Sequence, residues 1–188
     1  MPLSKKISKK RYKLFLSLFV STFLLSACSP DFNWREVHNN NYIVSFPAKP
    51  SSNKKHVLIN NKKYDLYMEA SSNNDMLFGV AYINLDTLNG IEKNSTTSSL
   101  VLDLQKQWCK YGKLQNDDSN LDKAKILTCN LSSDKYNKIL KSKWITTNKN
   151  IYQISVIYDK AYENGLTDKK KDELNQNIDF FFSSFKPA

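Results

Sequence analysis

Glycine is nearly missing from this chain. Four are present, Gly79, Gly90, Gly112 and Gly165, each isolated from the others. A phosphate-cradling loop needs clustered glycines ahead of a helix, so nucleotide binding of that type is excluded. Histidine is scarcer still, with only His38 and His56. A metal site wants several His, Cys or carboxylate ligands at ordered spacing, and no such spacing occurs. Both histidines fall in strand-and-turn stretches rich in Asn and Lys, where an exposed ring is the expectation. There is no Gly-x-Ser-x-Gly elbow and no Cys-x-x-Cys pair, which removes those forms of hydrolase and thiol-redox chemistry. Asp117, Asp118 and Asp122 cluster, but they lack the twelve-residue calcium loop with its glycine and terminal glutamate, and read as a solvated loop. No apolar stretch reaches the ~20 residues of a spanning helix. Internal repeats and low-complexity linkers are missing too.

What is present begins at the N-terminus. Lys5, Lys6, Lys9, Lys10, Arg11 and Lys13 form a positive cluster without an acidic residue. Positions 14–25 follow as a 12-residue apolar run broken only by Ser17, Ser21 and Thr22. That is too short to span a bilayer, and it has the layout of a signal peptide. It closes on Leu25-Ser26-Ala27-Cys28, which resembles the lipobox of bacterial lipoproteins. The resemblance implies cleavage between Ala27 and Cys28, and a Cys28 that carries a diacylglyceryl group and a third chain such as palmitate. Each buried CH₂ contributes about 0.8 kcal/mol, so several chains hold the protein permanently where one would hold it marginally. An uncleaved signal anchor is the alternative. Ser29, where an aspartate would favour inner-membrane retention, implies the outer membrane, facing the periplasm. Six residues separate Cys28 from Trp34, an extended reach of roughly 20 Å. The expected organisation is a signal peptide at 1–27, a lipidated cysteine and short tether at 28–33, and one globular domain at 34–188.

The whole-chain charge of +10 is carried largely by that signal segment. The rest holds 22 basic and 18 acidic residues, a net of +4, too mild for a nucleic-acid footprint. With Cys28 consumed by lipid, Cys109 and Cys129 remain as an even pair in an oxidising compartment. A bridge would close a loop of about 20 residues and contribute roughly 3 kcal/mol. Two buried free thiols are the alternative.

Alternation and turn residues predict strands at 34–37, 42–46, 57–59, 64–70, 76–85, 123–131, 138–146 and 151–158. The 76–85 strand is apolar on both faces and reads as central, with small Gly79 and Ala81 leaving room for a helix. Ser95 to Ser99 offer cap oxygens for a helix over about 100–110, with Leu100, Val101, Leu104, Trp108 and Tyr111 on one side and Gly112 as its stop. A second helix over 168–185 carries the stripe Leu174, Ile178, Phe181, Phe185. Hairpins dominate and alternating βαβ units are absent. The fold class is therefore α+β: a largely antiparallel sheet flanked by two main helices.

The stretch Tyr42-Ile43-Val44-Ser45-Phe46-Pro47-Ala48-Lys49-Pro50 resembles the opening of PsbP-like and DcrB-like domains, a superfamily that also includes a small nuclear import factor binding the GTPase Ran. Ser184-Phe185 and the stripe before it match the family's C-terminal helix. The resemblance covers about 34–186, with Ala48 in place of the usual glycine and Tyr42 in place of phenylalanine. It implies an α/β/α sandwich and a non-catalytic role as an accessory or binding protein. It transfers no functional residue.

Two surface features stand apart from the core. Lys138, Lys141 and Lys143, near Lys135 and Lys149, read as an ordinary charged exterior that deters edge pairing, with a basic face for anionic headgroups or an acidic partner as the alternative. Among the strand tyrosines Tyr64, Tyr67, Tyr82, Tyr152 and Tyr158, only Tyr67 alternates outward with charged neighbours. The functional expectation is a membrane-anchored accessory or protein-binding module at the cell envelope, without catalysis or cofactor, meeting the membrane through acylated Cys28 and an envelope protein through its surface. A small-ligand binder with a pocket between sheet and helix is the first alternative. An unrecognised hydrolase, with a buried serine or carboxylate beside His38 or His56, is the second.

Overall fold

Period-2 alternation dictates most of this fold, because a strand sends successive side chains to opposite faces. The computed structural model of the chain describes residues 32–59, 62–73, 75–85, 90–109, 112–114, 126–133 and 135–188. The expected signal segment, Ala27, Cys28, most of the tether, Tyr111, Asp117, Asp118 and Asp122 lie outside the described residues.

The elements run β1 (Arg35–His38), β2 (Tyr42–Phe46), β3 (Ser51–Ile59), β4 (Lys62–Asn73), β5 (Met76–Asn84), α1 (Gly90–Trp108), β6 (Gly112–Leu114), β7 (Ile126–Ser133), β8 (Tyr136–Thr146), β9 (Asn150–Asp159), α2 (Lys160–Asn164), α3 (Asp168–Ser184) and β10 (Lys186–Pro187). A seven-stranded sheet has the order β3-β4-β5-β9-β8-β7-β6, and a three-stranded sheet the order β1-β2-β10. Every pairing is antiparallel. The antiparallel expectation therefore holds, but in two sheets rather than one, and strands dominate over few helices. The division has a local cause. Pro47 and Pro50 lack the N–H a ladder needs, so β2 stops at Phe46 and pairing resumes only at Ser51, on the edge of the large sheet.

The two faces of the large sheet carry separate cores. Met76, Phe78 and Val80 of β5 and Tyr152, Ile154, Val156 and Tyr158 of β9 pack with β2 and α3. On α3 the buried residues are Leu174, Ile178, Phe181 and Phe182, one stripe at helical spacing. The helix is latched to β2: the Ser45 N–H donates to Ser184 Oγ at 3.1 Å, and β10 then pairs Lys186 with Ile43. The opposite parity of β5, Ala81 and Ile83, packs with Leu66, Ile151 and the α1 residues Leu100, Val101 and Leu104.

Several expectations need correction. The first helix starts at Gly90, not near residue 100, so Ser95 to Ser99 lie within α1 rather than capping it. Thr97 is buried beside Leu100, Val101 and Leu104, extending the stripe by one turn with a hydroxyl-bearing residue. Gly112 opens β6 instead of closing the helix. A Cβ at Gly79 would meet Ser155 Oγ at 3.4 Å and Glu69 O at 3.7 Å, so that glycine itself adjoins neighbouring strands, while Ala81 on the same face packs with α1 as expected. β5 is interior but not central as expected; β9 takes the centre of the sheet.

Cys109 and Cys129 are bonded, with Cα atoms 5.9 Å apart and 20 residues of separation. The bridge ties the end of α1 to β7, where Cys129 is fully buried opposite Leu140. Among the described residues no helix is long and apolar enough to cross a membrane. Phe32–Ala188 forms one unit by its internal contacts.

Candidate functional site

A connected run of polar side chains lies on the hairpin β3–β4. Register places Ser52 opposite Glu69, Lys54 opposite Tyr67 and His56 opposite Asp65. Tyr67 in turn lies opposite Tyr82 of β5. Directly opposed residues of an antiparallel pair share a face, so these side chains form one continuous ribbon.

Contacts run along it without a break. Lys54 Nζ is 2.7 Å from Asp65 Oδ2 and 4.8 Å from the Tyr67 ring centroid. His56 Nδ1 meets Asp65 Oδ1 at 2.6 Å. Tyr67 stacks on Tyr82 at 5.0 Å with planes 11° apart. Glu69 accepts from the Tyr42 hydroxyl at 2.6 Å and from Ser52 Oγ at 3.2 Å. The ribbon is fastened to the core by the turn before β2. There Asn39 Oδ1 accepts from the N–H groups of Asn41 and Tyr42, both at 2.9 Å, an Asx turn. Asn41 Nδ2 then donates to the Tyr82 hydroxyl at 2.9 Å, and the Tyr152 hydroxyl donates to Asn41 O at 2.7 Å. Tyr42, fully buried, packs against Tyr82, Tyr152 and Phe185.

The electrostatics divide the ribbon into an inner and an outer part. Burial, then the hydrogen bond to Glu69, pushes the Tyr42 phenol well above its ordinary value, so it stays a neutral donor. Burial, then the neighbouring Tyr67, raises Tyr82. At the exposed end the hydrogen bond from Lys54 holds the Asp65 carboxyl below its usual range, with His56 adding to the effect. The outer end thus presents a cation, an imidazole and an ionised carboxylate in fixed positions on a solvent-facing surface. Leu58 follows on the same face, 71% exposed. That arrangement suits recognition of another surface and offers no activated nucleophile.

The sequence-derived candidates fare unequally. His38 is exposed on β1, beside the exposed Glu36; His56 is exposed on a strand of the other sheet. Among the described residues neither has a buried serine or carboxylate beside it. The five lysines do not make one basic face. Lys141 and Lys143 share the face of Tyr158 and Ile154, while Lys138 lies on the opposite one, across from Asp159. Lys135 and Lys149 sit at opposite ends of β8, whose 11 residues span about 36 Å. Lys141 is engaged with α3, its Nζ donating to Asn175 Oδ1 at 3.2 Å. Tyr67 is half-buried between Tyr82 and Lys54 rather than standing outward. Between sheet and α1, a void of about 10 Å³ lined by Leu66, Ala81, Leu104, Trp144 and Gln153 has the size of one water, far short of a ligand pocket. Among the described residues no group of three His, Cys, Asp or Glu side chains could hold a metal.

Two features escaped the reading of the chain. The Glu69–Tyr42 bond joins residues 27 apart, and nothing local announces it. Phe180 is 45% exposed and forms an aromatic cluster with Trp34 and Phe32. That one had a signal: three consecutive phenylalanines, 180–182, cannot all face the core at ~100° per residue. Comparison with family models, with curated proteins and with solved structures finds no match for this chain.

Proposed function

We propose that this chain is a lipid-anchored envelope protein whose domain acts as a non-catalytic accessory module, binding a partner protein through the β3–β4 ribbon. The observation that carries the binding role is the ribbon itself: Lys54, His56 and Asp65 are exposed yet held by 2.6–2.7 Å contacts and backed, through Tyr67 and Tyr82, by the core. A surface organised before binding loses less side-chain entropy on docking. The anchor rests on Leu25-Ser26-Ala27-Cys28 behind its basic and apolar run, and an oxidised Cys109–Cys129 pair is in keeping with export. The arrangement of α1 and α3 on the two faces of an antiparallel sheet is in keeping with the helix-flanked sandwich of PsbP-like and DcrB-like domains, whose known members work as accessory proteins. Ser29 after the cysteine favours the outer membrane, with the domain in the periplasm.

The test is photocrosslinking in intact cells from position 56, with position 170 on the exposed start of α3 as control. A discrete adduct with one envelope protein from position 56, lost when Lys54 and Asp65 are exchanged for alanine, is the expected result. Adducts with only lipid and bulk envelope protein would defeat the reading.

A further inference from the structure

Beside the point where the described chain begins lies a partly exposed aromatic cluster packed on the outside of the core. Phe32 stacks on Trp34 at 5.5 Å with planes 10° apart, and Trp34 meets Phe180 at 4.8 Å. Their inner edges rest on Phe78, at 6.1 Å from Phe32 and 5.9 Å from Trp34. Phe32 and Trp34 are half-buried, while Phe180 turns away from the buried stripe of α3 and is 45% exposed. Three contiguous rings held partly in water are costly unless something covers them.

We propose that the lipid bilayer covers them: the Phe32–Trp34–Phe180 cluster is the face by which the tethered domain rests on the headgroup–acyl boundary. The argument is covalent length. This inference rests on the lipid-anchor reading; given an acyl group on Cys28, Phe32 follows four residues later, an extended reach of at most about 14 Å. No tether of that length keeps the cluster away from the interface. Aromatic side chains, tryptophan above all, settle at that boundary because an apolar ring and a polar N–H are both satisfied there. The acyl anchor supplies the high effective concentration, so the cluster needs only weak affinity of its own. Exposed Asp179 adjoins Phe180, so the contact is apolar and requires no anionic lipid. The orientation also has a consequence for the ribbon. The His56–Asp65 pair lies six residues along β4 from Ser71, the partner of Phe78, or roughly 20 Å. Resting on the cluster therefore leaves the Lys54–His56–Asp65 end of the ribbon away from the bilayer, open to a partner.

The test uses the processed, acylated protein in vesicles of zwitterionic phosphatidylcholine, with and without bromine on the acyl chains. Bromine quenches tryptophan emission only at contact range. The expected result is loss of roughly the share of emission carried by one of the three tryptophans. That loss should vanish in Trp34→Phe and shrink at least twofold in Phe180→Ser, an exposed position where folding is retained. The melting temperature of each variant verifies that retention. Unchanged quenching in Trp34→Phe overturns the proposal, as does absent quenching in protein that floats with vesicles and carries its acyl mass. A mature protein without the acyl mass is a different failure: it removes the anchor reading, and this inference with it.

Discussion

At the scale of single residues, the side chain that decides most here is Tyr42. It is fully buried at the junction of both sheets, and its hydroxyl spends its one proton on Glu69. Tyr42→Phe keeps the ring packing and removes that charge-assisted bond, so a loss of about 1–2 kcal/mol is expected in urea unfolding. The same phenol has a pH signature. Burial, followed by Glu69 for Tyr42 and Glu163 for Tyr158, raises both above the ordinary tyrosine value of about 10. A raised folded-state pKa means the contribution is complete below the unfolded value and is lost as pH rises beyond it. Alkaline unfolding should therefore begin above roughly pH 10. The phenolate absorbance of these two residues should appear together with loss of circular dichroism; their titration in a still-folded protein would contradict the packing. The strand at 42–46 was readable from its residues, though the burial of Tyr42 was not read from it. The Tyr42–Glu69 bond was not readable, because two strands and a register must be in place first.

Among the elements, α1 and α3 show how far patterning reaches. Most of the α3 stripe was readable, since Leu174, Ile178 and Phe181 recur at helical spacing; Phe182 joins them in the helix, while Phe185, buried too, falls just past its end. The start of α1 was not, because a serine- and threonine-rich stretch suits both a cap and a helix interior, and only packing on the sheet selects the second. The far end of α1 is held by the Cys109–Cys129 bridge. Closing a loop of about 20 residues restricts the unfolded chain, and Cys109→Ser with Cys129→Ser should lower stability by roughly 3 kcal/mol. Thermal denaturation with and without reductant measures it. An equal melting temperature in the two conditions would mean that the bridge adds nothing. The β3–β4 hairpin makes the complementary point. Period-2 alternation foretold its strands, yet β3 extends back to Ser51, because its exposed, polar first half carries no hydrophobic alternation to announce it.

For the whole molecule, the proposed anchor and the folded unit are separable. Cys28→Ser should leave the melting temperature of Phe32–Ala188 unchanged while moving the protein from the detergent to the aqueous phase on partition. Continued partition into detergent would point to an uncleaved apolar helix as the tether. The sequence alone settled the antiparallel character, the α3 stripe and the pool from which the disulfide was drawn, because turn residues, side-chain periodicity and cysteine number act locally or by count. The tertiary structure alone decided that the strands divide into two sheets and that the five lysines are scattered. It alone assembled Lys54, Asp65, Tyr67, Tyr82 and Glu69 into one ribbon. Each of these depends on which strand lies beside which, and at what register. A shift of one residue would send every side chain to the other face.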